Sequence, residues 1–432
     1  MFFTSLWPRL WLTFGAGWLC CTASFADQTS RASHPAAEVR GPLHGLPSAP
    51  GPHIQKIQQL GDDSWLELGA PAPDPQWGRA RGRSWTAVMP LAPELRGAFL
   101  FGEGVHGYTK PDSHYMDDLW FYDIAAHRWI CCYPGANTKT LDLHINEQGF
   151  EADRDGDLVP VASQVHGYSM NTYDTQGRRL LSMPNLHGYW KTALPQRERW
   201  LKEAPADAGP WMFDTRTGKW SRRRTGGLAP QSGYGDTLIY IPSKHQAFFA
   251  HRNDEVWFYD LTSHRWEQKQ PEGPKPPWGI DATSCYDSKR QRIYIGGGSY
   301  PVAPDEGHAF WIYDLKSDRW IDPQPQGKPA RGSNRYATLN ALMAYDTVSD
   351  CVLLIVHSFH YDTEERLGVY VYDPERNTWS SDLRPLPEGL RNRQVKNGFY
   401  DPALNAVFLH SAGDSRDDGV IWVYRYKNAP AP

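Results

Sequence analysis

The stretch Val256-Trp257-Phe258-Tyr259-Asp260-Leu261-Thr262-Ser263-His264-Arg265-Trp266 decides how the rest of the chain is read. Aromatic and β-branched residues in a row favour an extended strand, and Asp followed by short polar residues favours a turn. Trp266 then opens a second strand, so the unit reads as a β-hairpin. The same spacing recurs. Leu119–Asp123 leads to Trp129, Trp211–Asp214 to Trp220, Phe310–Asp314 to Trp320, and Val369–Asp373 to Trp379. Repetition at one fixed Asp-to-Trp step identifies a repeat architecture.

A second pattern precedes each copy. Tyr173-Asp174 leads to Arg179-Leu180-Leu181, Tyr286-Asp287 to Arg292-Ile293-Tyr294-Ile295, Tyr345-Asp346 to Cys351-Val352-Leu353-Leu354, and Tyr400-Asp401 to Ala406-Val407-Phe408-Leu409. Each repeat is therefore two hairpins, or four antiparallel strands. The last repeat has Ile421-Trp422-Val423-Tyr424 but no Trp strand after it, whereas Ser64-Trp65-Leu66-Glu67-Leu68 is a Trp strand with nothing before it. Pairing the two closes a ring and removes both exposed edges. The Trp strands at Trp65, Trp129, Trp220, Trp266, Trp320 and Trp379 predict an all-β propeller of six blades over 61–427. The span 129–220 leaves room for a seventh blade, and 134–165 and 189–209 read as insertions.

These residues resemble the kelch repeat: the pair Gly296-Gly297 after a second strand, the aromatic-Tyr-Asp strand, and the spaced Trp. The resemblance implies the fold of the galactose-oxidase central domain. It also implies that the first strand of each blade is innermost, so that first-strand starts and second-strand ends share one rim. The repeated Tyr and Trp are read as packing between blades, with no chemistry assigned to them.

Composition bounds the partners. Lys+Arg 45 against Asp+Glu 49 gives a net charge of −4 without a long basic run, which argues against nucleic acid. Residues 1–26 have the order of a secretory signal peptide: Arg9, the apolar stretch Leu10–Cys21, then Ser24-Phe25-Ala26. Export to a secreted or periplasmic location is expected, with no membrane span. Residues 27–60, rich in Pro, Ser, Ala and Gly, read as a flexible linker. Cys131, Cys132, Cys285 and Cys351 read as buried or singly paired thiols rather than a metal site, with Cys131 and Cys132 on opposite faces of a strand.

The rim positions carry an unusual set. Second-strand ends bear Glu103 and His106, Asn185 and His187, His251 and Arg252, His357 and His360, and His410. First-strand starts bear His166 and Tyr168, Tyr234 and Asp236, Asp281, Asn340, and Arg393 with Lys396 and Asn397. Imidazoles, Tyr and Arg gathered at one rim suit proton transfer or anion binding. The set His166, His187, Tyr234 and Arg252 resembles the propeller polysaccharide lyases of the ulvan-lyase type. That likeness implies β-elimination on an acidic, uronate-containing polysaccharide, with His166 or His187 as base, Tyr234 as acid and Arg252 neutralising the carboxylate. His251, His357, His410, Asn340 and Trp190 complete the expected substrate-binding set.

The alternative is a non-catalytic module that binds a glycan or protein through its loops, with Trp190 and Trp200 available to stack on sugar rings. Copper-radical oxidation is not expected, because no cysteine falls at a rim position. A divalent ion on His251, His357 and His410 stays open as a cofactor. Asp153-Arg154-Asp155-Gly156-Asp157 reads as an acidic solvated turn ahead of a calcium loop, since no later Glu completes the ligand set. Arg222-Arg223-Arg224 reads as an exposed edge strand blunted by charge.

Overall fold

The chain divides into two compact units, Met1–Val39 and Arg40–Pro432. The computed structural model describes residues 41–428 except 84–85, 103–116, 136–142, 161–166, 168, 185–204, 234, 251–254, 277–281, 298–309, 328–340, 358–366, 392, 394 and 414–416. The first unit therefore lies outside the described residues.

The second unit is a six-bladed β-propeller. Blade 1 is Leu91–Ala92, Gly97–Leu100, Leu119–Asp123 and Arg128–Tyr133, and blade 2 is Asn171–Asp174, Arg179–Ser182, Trp211–Asp214 and Lys219–Ser221. Blade 3 is Thr237–Ile241, Gln246–Ala250, Val256–Asp260 and Arg265–Lys269, and blade 4 is Ala282–Asp287, Arg292–Gly297, Phe310–Asp314 and Arg319–Ile321. Blade 5 is Ala341–Asp346, Cys351–Val356, Gly368–Asp373 and Thr378–Trp379, with Arg384–Pro385 also pairing on its third strand. Blade 6 takes Val395–Asp401, Ala406–Ala412 and Val420–Arg425 from the C-terminal end and Ser64–Gly69 from the N-terminal end. The predicted closure is thus observed, with Trp65 opposite Tyr424. The segment that left room for a seventh blade instead carries the small hairpin Leu143–Ile145/Glu151–Asp153.

A local device explains why the spacing is so regular. The Asp that ends each aromatic strand accepts N–H bonds from the turn: Asp260 Oδ1 from Thr262 and Ser263, Asp314 Oδ1 from Lys316 and Ser317, and Asp373 Oδ1 from Glu375 and Arg376. Four residues after the Asp, the chain enters the left-handed region. His127, His264, Asp318, Asp350, Asn377 and Asn405 all sit there, with φ between 48° and 57°. Short polar side chains tolerate that conformation better than apolar ones. Each of these side chains also meets the Tyr that precedes the Asp: Tyr122 with His127 Nδ1 at 2.7 Å, Tyr345 with Asp350 at 2.7 Å, Tyr372 with Asn377 at 2.9 Å. At the closure Asp63 (φ 48°) receives the Tyr424 hydroxyl at 2.6 Å, so the ring seam reproduces the hairpin although its strands are remote in sequence.

The Trp strands pack as expected. Trp129, Trp220, Trp266, Trp320 and Trp379 are buried. Each touches an aromatic ring of its own blade, as in Tyr313–Trp320 at 5.0 Å, and several touch the preceding blade, as in Phe310–Trp379 at 5.1 Å. Cys131 belongs to the core between blades 6 and 1 and Cys132 packs on the core between blades 1 and 2, which places them on opposite faces of blade 1. The four described cysteines are free thiols.

Two expectations need correction. Of 27–60, the described part 41–60 is not a loose linker. It holds the helix Pro52–Gln58, whose Ile57 is fully buried in the core between blades 6 and 1. Its backbone is tied down by Gly41 N–H to the Arg216 carbonyl and Gly51 N–H to the Ala125 carbonyl, and His53 Nε2 meets the Ile124 carbonyl at 2.7 Å. Pro and Gly content hid a segment ordered by tertiary contacts rather than by its own periodicity. Arg222–Arg224 is not a bare edge either. Ala208 pairs with Arg224, Asp207 forms an ion pair with Arg224, and Arg222 Nε donates to the Gly209 carbonyl at 2.9 Å. Among the described residues no helix is long and apolar enough to cross a membrane.

Candidate functional site

The hairpin turns within the blades, and the seam that replaces one of them in blade 6, lie at one end of the strands, so the second-to-third connections and the entries to the first strands lie at the other. The described ones among the predicted rim positions, His357, Lys396 and Asn397 with them, belong to that second end. His166, His187, Tyr234, Arg252, His251, Asn340 and Trp190 lie outside the described residues, as do Glu103, His106, Tyr168, Asn185, Trp200, Asp281 and His360. The described part of the rim is best developed where blades 5, 6 and 1 meet.

His410 lies in the second strand of blade 6, opposite Asn397 and Ile421. Its ring is 1% exposed and stands 5.0 Å from Trp129 at 72°, edge to face, in the seam with blade 1. Among the described residues neither ring nitrogen has a hydrogen-bond partner. Burial pushes its pKa down to about 3, helped by Arg83 and Arg393 and opposed by Asp418. A Cβ on Gly419 would collide with Nε2, so Gly419 is the residue that lets the ring fit.

His357 follows the second strand of blade 5 and is fully buried, again with both nitrogens unpartnered among the described residues. Burial, then the charge of Lys396, holds its pKa well below the usual imidazole range. His410 and His357 are therefore not equivalent positions. His410 pairs with the fourth residue before Asp401, and the matching position in blade 5 is Ile355, opposite Leu342. The imidazole of His410 sits two residues deeper in its blade than that of His357, which spacing along the chain alone did not reveal.

Lys396 and Asn397, on the innermost strand of blade 6, do the structural work of this seam. Lys396 Nζ donates to the His357 carbonyl at 2.7 Å and to the Arg393 carbonyl, joining blades 5 and 6. It is 2% exposed, and burial followed by the charge of Arg393 lowers its pKa to about 7. Asn397 Nδ2 donates to the carbonyls of Arg83 (2.8 Å) and Thr86, and its Oδ1 accepts the Arg83 N–H at 3.1 Å. Arg83 in turn forms a buried ion pair with Asp118 at 2.6 Å, and Asp118 also accepts Trp120 Nε1. Arg393 pairs with Asp418 at 2.9 Å.

Chemically this is a sealed seam. Neutral imidazoles with no accessible face cannot take a proton from a large substrate, and no group of three or more metal-ligating side chains occurs among the described residues. Nearby cations, Lys396 for His357 and Arg83 and Arg393 for His410, add to the effect of burial in keeping both rings neutral. Sequence reasoning placed Lys396, Asn397 and Arg393 on the rim but missed Arg83, Asp118 and Gly419. Arg83 and Asp118 stand outside the repeat pattern, and nothing in the spacing marks them.

The described flanks of the other predicted residues meet at the seam of blades 2 and 3. The Ser232 hydroxyl donates to the Pro184 carbonyl, Gly233 N–H donates to Asp236 Oδ2 at 2.6 Å, and Leu238 N–H to the Ser169 carbonyl at 2.9 Å. The turn Asp153–Asp157 is internally satisfied: Asp153 Oδ1 accepts the N–H groups of Asp155 and Asp157, and Asp157 pairs with Lys219.

With a ring of six four-stranded, Tyr-Asp-turn blades in view, the fold is that of a β-propeller, and part of the chain matches a kelch-repeat family. Residues 201–391 match the family model described as the KLHDC2/KLHL20/DRC7 Kelch-repeats domain. Similar solved structures include an auxiliary nutrient binding protein from Bacteroides thetaiotaomicron, 10% identical with a TM-score of 0.44, covering 84% of this chain and 76% of that one. Another is YCF48 bound to D1 peptide, 11% identical with a TM-score of 0.36, covering 84% of this chain and all of that one. No curated protein matches.

Proposed function

We propose that this chain is an exported glycan-binding propeller, and that it engages an acidic polysaccharide at the rim where blades 2 and 3 meet. The supporting observation is the tie between the two segments that flank the predicted residues. Pro184 stands three residues before His187 and Ser232 two before Tyr234, and the Ser232–Pro184 bond holds those anchor points together. The opposite seam, by contrast, buries its histidines in packing. Arg252 would pair with a sugar carboxylate, a charge-assisted contact whose planar fork suits that group. Export rests on the order of residues 1–26.

Affinity electrophoresis of the purified protein through gels containing acidic or neutral polysaccharides tests this. Retardation by the acidic set, abolished by Arg252→Ala and unaffected by His410→Ala, is expected. Equal mobility in every gel would sink the proposal.

A second reading gives the same rim a reaction, β-elimination with His166 or His187 as base and Tyr234 as acid, because those residue types fit proton transfer beside a carboxylate. It predicts new absorbance at about 235 nm from unsaturated uronate ends, formed by proton abstraction with departure of the 4-linked sugar. Binding without that signal assigns the non-catalytic role.

A further inference from the structure

Arg222 follows the outermost strand of blade 2, Lys219–Ser221, and its guanidinium is pinned without being paired. It lies 5.4 Å from the rings of Phe150 and Trp211, both buried, and its Nε donates to the Gly209 carbonyl at 2.9 Å. That bond uses one of five N–H donors. The Nη groups bond nothing among the described residues, yet the side chain is only half-buried and neither Nη is sealed from solvent. Burial lowers its pKa to about 10, so it stays charged at neutral pH, and Glu151 acts on it from the inserted hairpin without bonding it.

The surroundings add charge without supplying a bonded counter-ion. Arg223 is exposed and its guanidinium has no partner among the described residues, while its carbonyl accepts the Gly209 N–H at 2.9 Å. Gly209 lies against Tyr259 of blade 3, where an added Cβ would stand 2.7 Å from the hydroxyl, and that hydroxyl meets His264 Nδ1 at 3.1 Å. His264 is half-buried, and its Nε2 has no partner among the described residues. Arg222, Arg223 and Arg179 all act on the Tyr259 hydroxyl, opposed by Asp260. The other carboxylates close by are engaged: Asp207 with Arg224 and Asp174 with Arg179, and Asp260 Oδ1 takes the turn N–H groups of Thr262 and Ser263. A guanidinium partly withdrawn from water is normally matched by an acceptor, so two unmatched ones at one seam point to an anion.

We propose that the outer seam between blades 2 and 3, at Arg222, Arg223 and His264, binds a phosphate or sulfate group, free or carried as an ester. The Nη edge of Arg222, held in orientation by the two rings and the Gly209 bond, offers a planar fork to two oxygens of such a group. Arg223 supplies a second charge and His264 Nε2 a further hydrogen-bonding nitrogen. A tetrahedral oxyanion has oxygens enough to meet all three, which chloride lacks. The site is on the outer strands, apart from the rim, and does not rest on what the rim binds.

Isothermal titration calorimetry on the full chain with inorganic phosphate and inorganic sulfate tests the proposal, with sodium chloride at matched ionic strength as the control. Saturable heat from both oxyanions and none from chloride is expected. Methyl phosphate and methyl sulfate separate the two sources: binding equal to the free ions assigns an ester-borne group, and binding of the free ions only assigns the inorganic anion. Arg222→Lys keeps the charge but loses the fork, and Arg223→Ala removes a charge that bonds nothing else, so each should weaken binding about tenfold, as loss of a charged hydrogen bond does. Arg223→Ala should also leave the protease resistance of 143–158 unchanged, which separates anion binding from the packing of Arg222 under the hairpin. Circular dichroism confirms that each variant folds, and Arg223→Ala decides the matter if Arg222→Lys does not fold. Heat no greater than that of chloride would overturn the proposal, as would parental affinity in folded Arg223→Ala.

Discussion

Gly419 and His127 show how single atoms are used at the two ends of the ring. An added methyl at Gly419 would strike the buried ring of His410, which has Trp129 against its other side. Overpacking of this kind costs about 1–3 kcal/mol, so Gly419→Ala should lower the urea midpoint by a corresponding amount. His410→Ala in the same chain should recover part of that loss; simple additivity of the two changes would contradict the contact. His127 supplies a left-handed residue and a partner for Tyr122, and its pKa is lowered to about 4, chiefly by burial and then by His53, whose ring lies 5.3 Å away. Because the folded state resists protonation, the unfolded chain takes up the proton first. Stability therefore falls as pH drops from about 6.5 towards 4 and is unaffected by this group above that window. His127→Asn keeps the conformation and the acceptor, as Asn377 and Asn405 do. It should melt like the parent at pH 7.5 and above it at pH 5; a parallel pH profile would refute the assignment. This role of histidine was not legible in the sequence, because a His in a turn looks the same whether it serves the backbone or a substrate.

Elements were legible where the repeat governs them and obscure where it does not. The aromatic-Tyr-Asp strands and the Trp strands fall where the spacing put them, since each Asp turn and each left-handed residue enforces that spacing locally. The hairpin Leu143–Ile145/Glu151–Asp153 has a turn of its own, with Asn146 Oδ1 accepting the Gln148 and Phe150 N–H groups and Gly149 left-handed, but it lacks the Asp-to-Trp spacing of the repeat, and only contacts reveal how it is held. Leu158 pairs with Trp220 on the outer strand of blade 2. The guanidinium of Arg222 lies 5.4 Å from the rings of both Phe150 and Trp211 while bonding the Gly209 carbonyl. Arg222→Ala should cost on the order of 1–3 kcal/mol, combining a lost cation–π contact with a lost charged hydrogen bond. Limited proteolysis should then cut within 143–158 before the blades are attacked. Arg222→Lys should restore little, since an ammonium cannot present the same planar fork. Unchanged protease resistance in the alanine variant would show that the hairpin is held by other contacts.

At the scale of the whole molecule, the ring is only as stable as its seam. The orphan Trp strand and the incomplete last repeat showed in the sequence that the ends must meet, because each lacks what the other has. The candidate site was less legible, because its residues stand at positions where copies differ and a repeat gives no expectation there. The seam itself makes the final prediction. Ser64–Gly69 covers the edge of Val420–Arg425, Trp65 stacks on Tyr424 at 4.6 Å, and Asp63 holds the Tyr424 hydroxyl. Removing residues up to 69 would leave blade 6 with three strands and an uncovered edge of Ile421-Trp422-Val423-Tyr424, an apolar template for pairing with other chains. Such a chain should aggregate on heating, and at a lower temperature than the parent. A synthetic peptide of residues 61–70 should raise its melting temperature with concentration, as any ligand of the folded state does, whereas the same peptide with Trp65→Ala and Asp63→Ala should not. If the truncated chain melts like the parent and ignores the peptide, the seam contributes no net stability and closure has to be sought in the contacts of the inner strands.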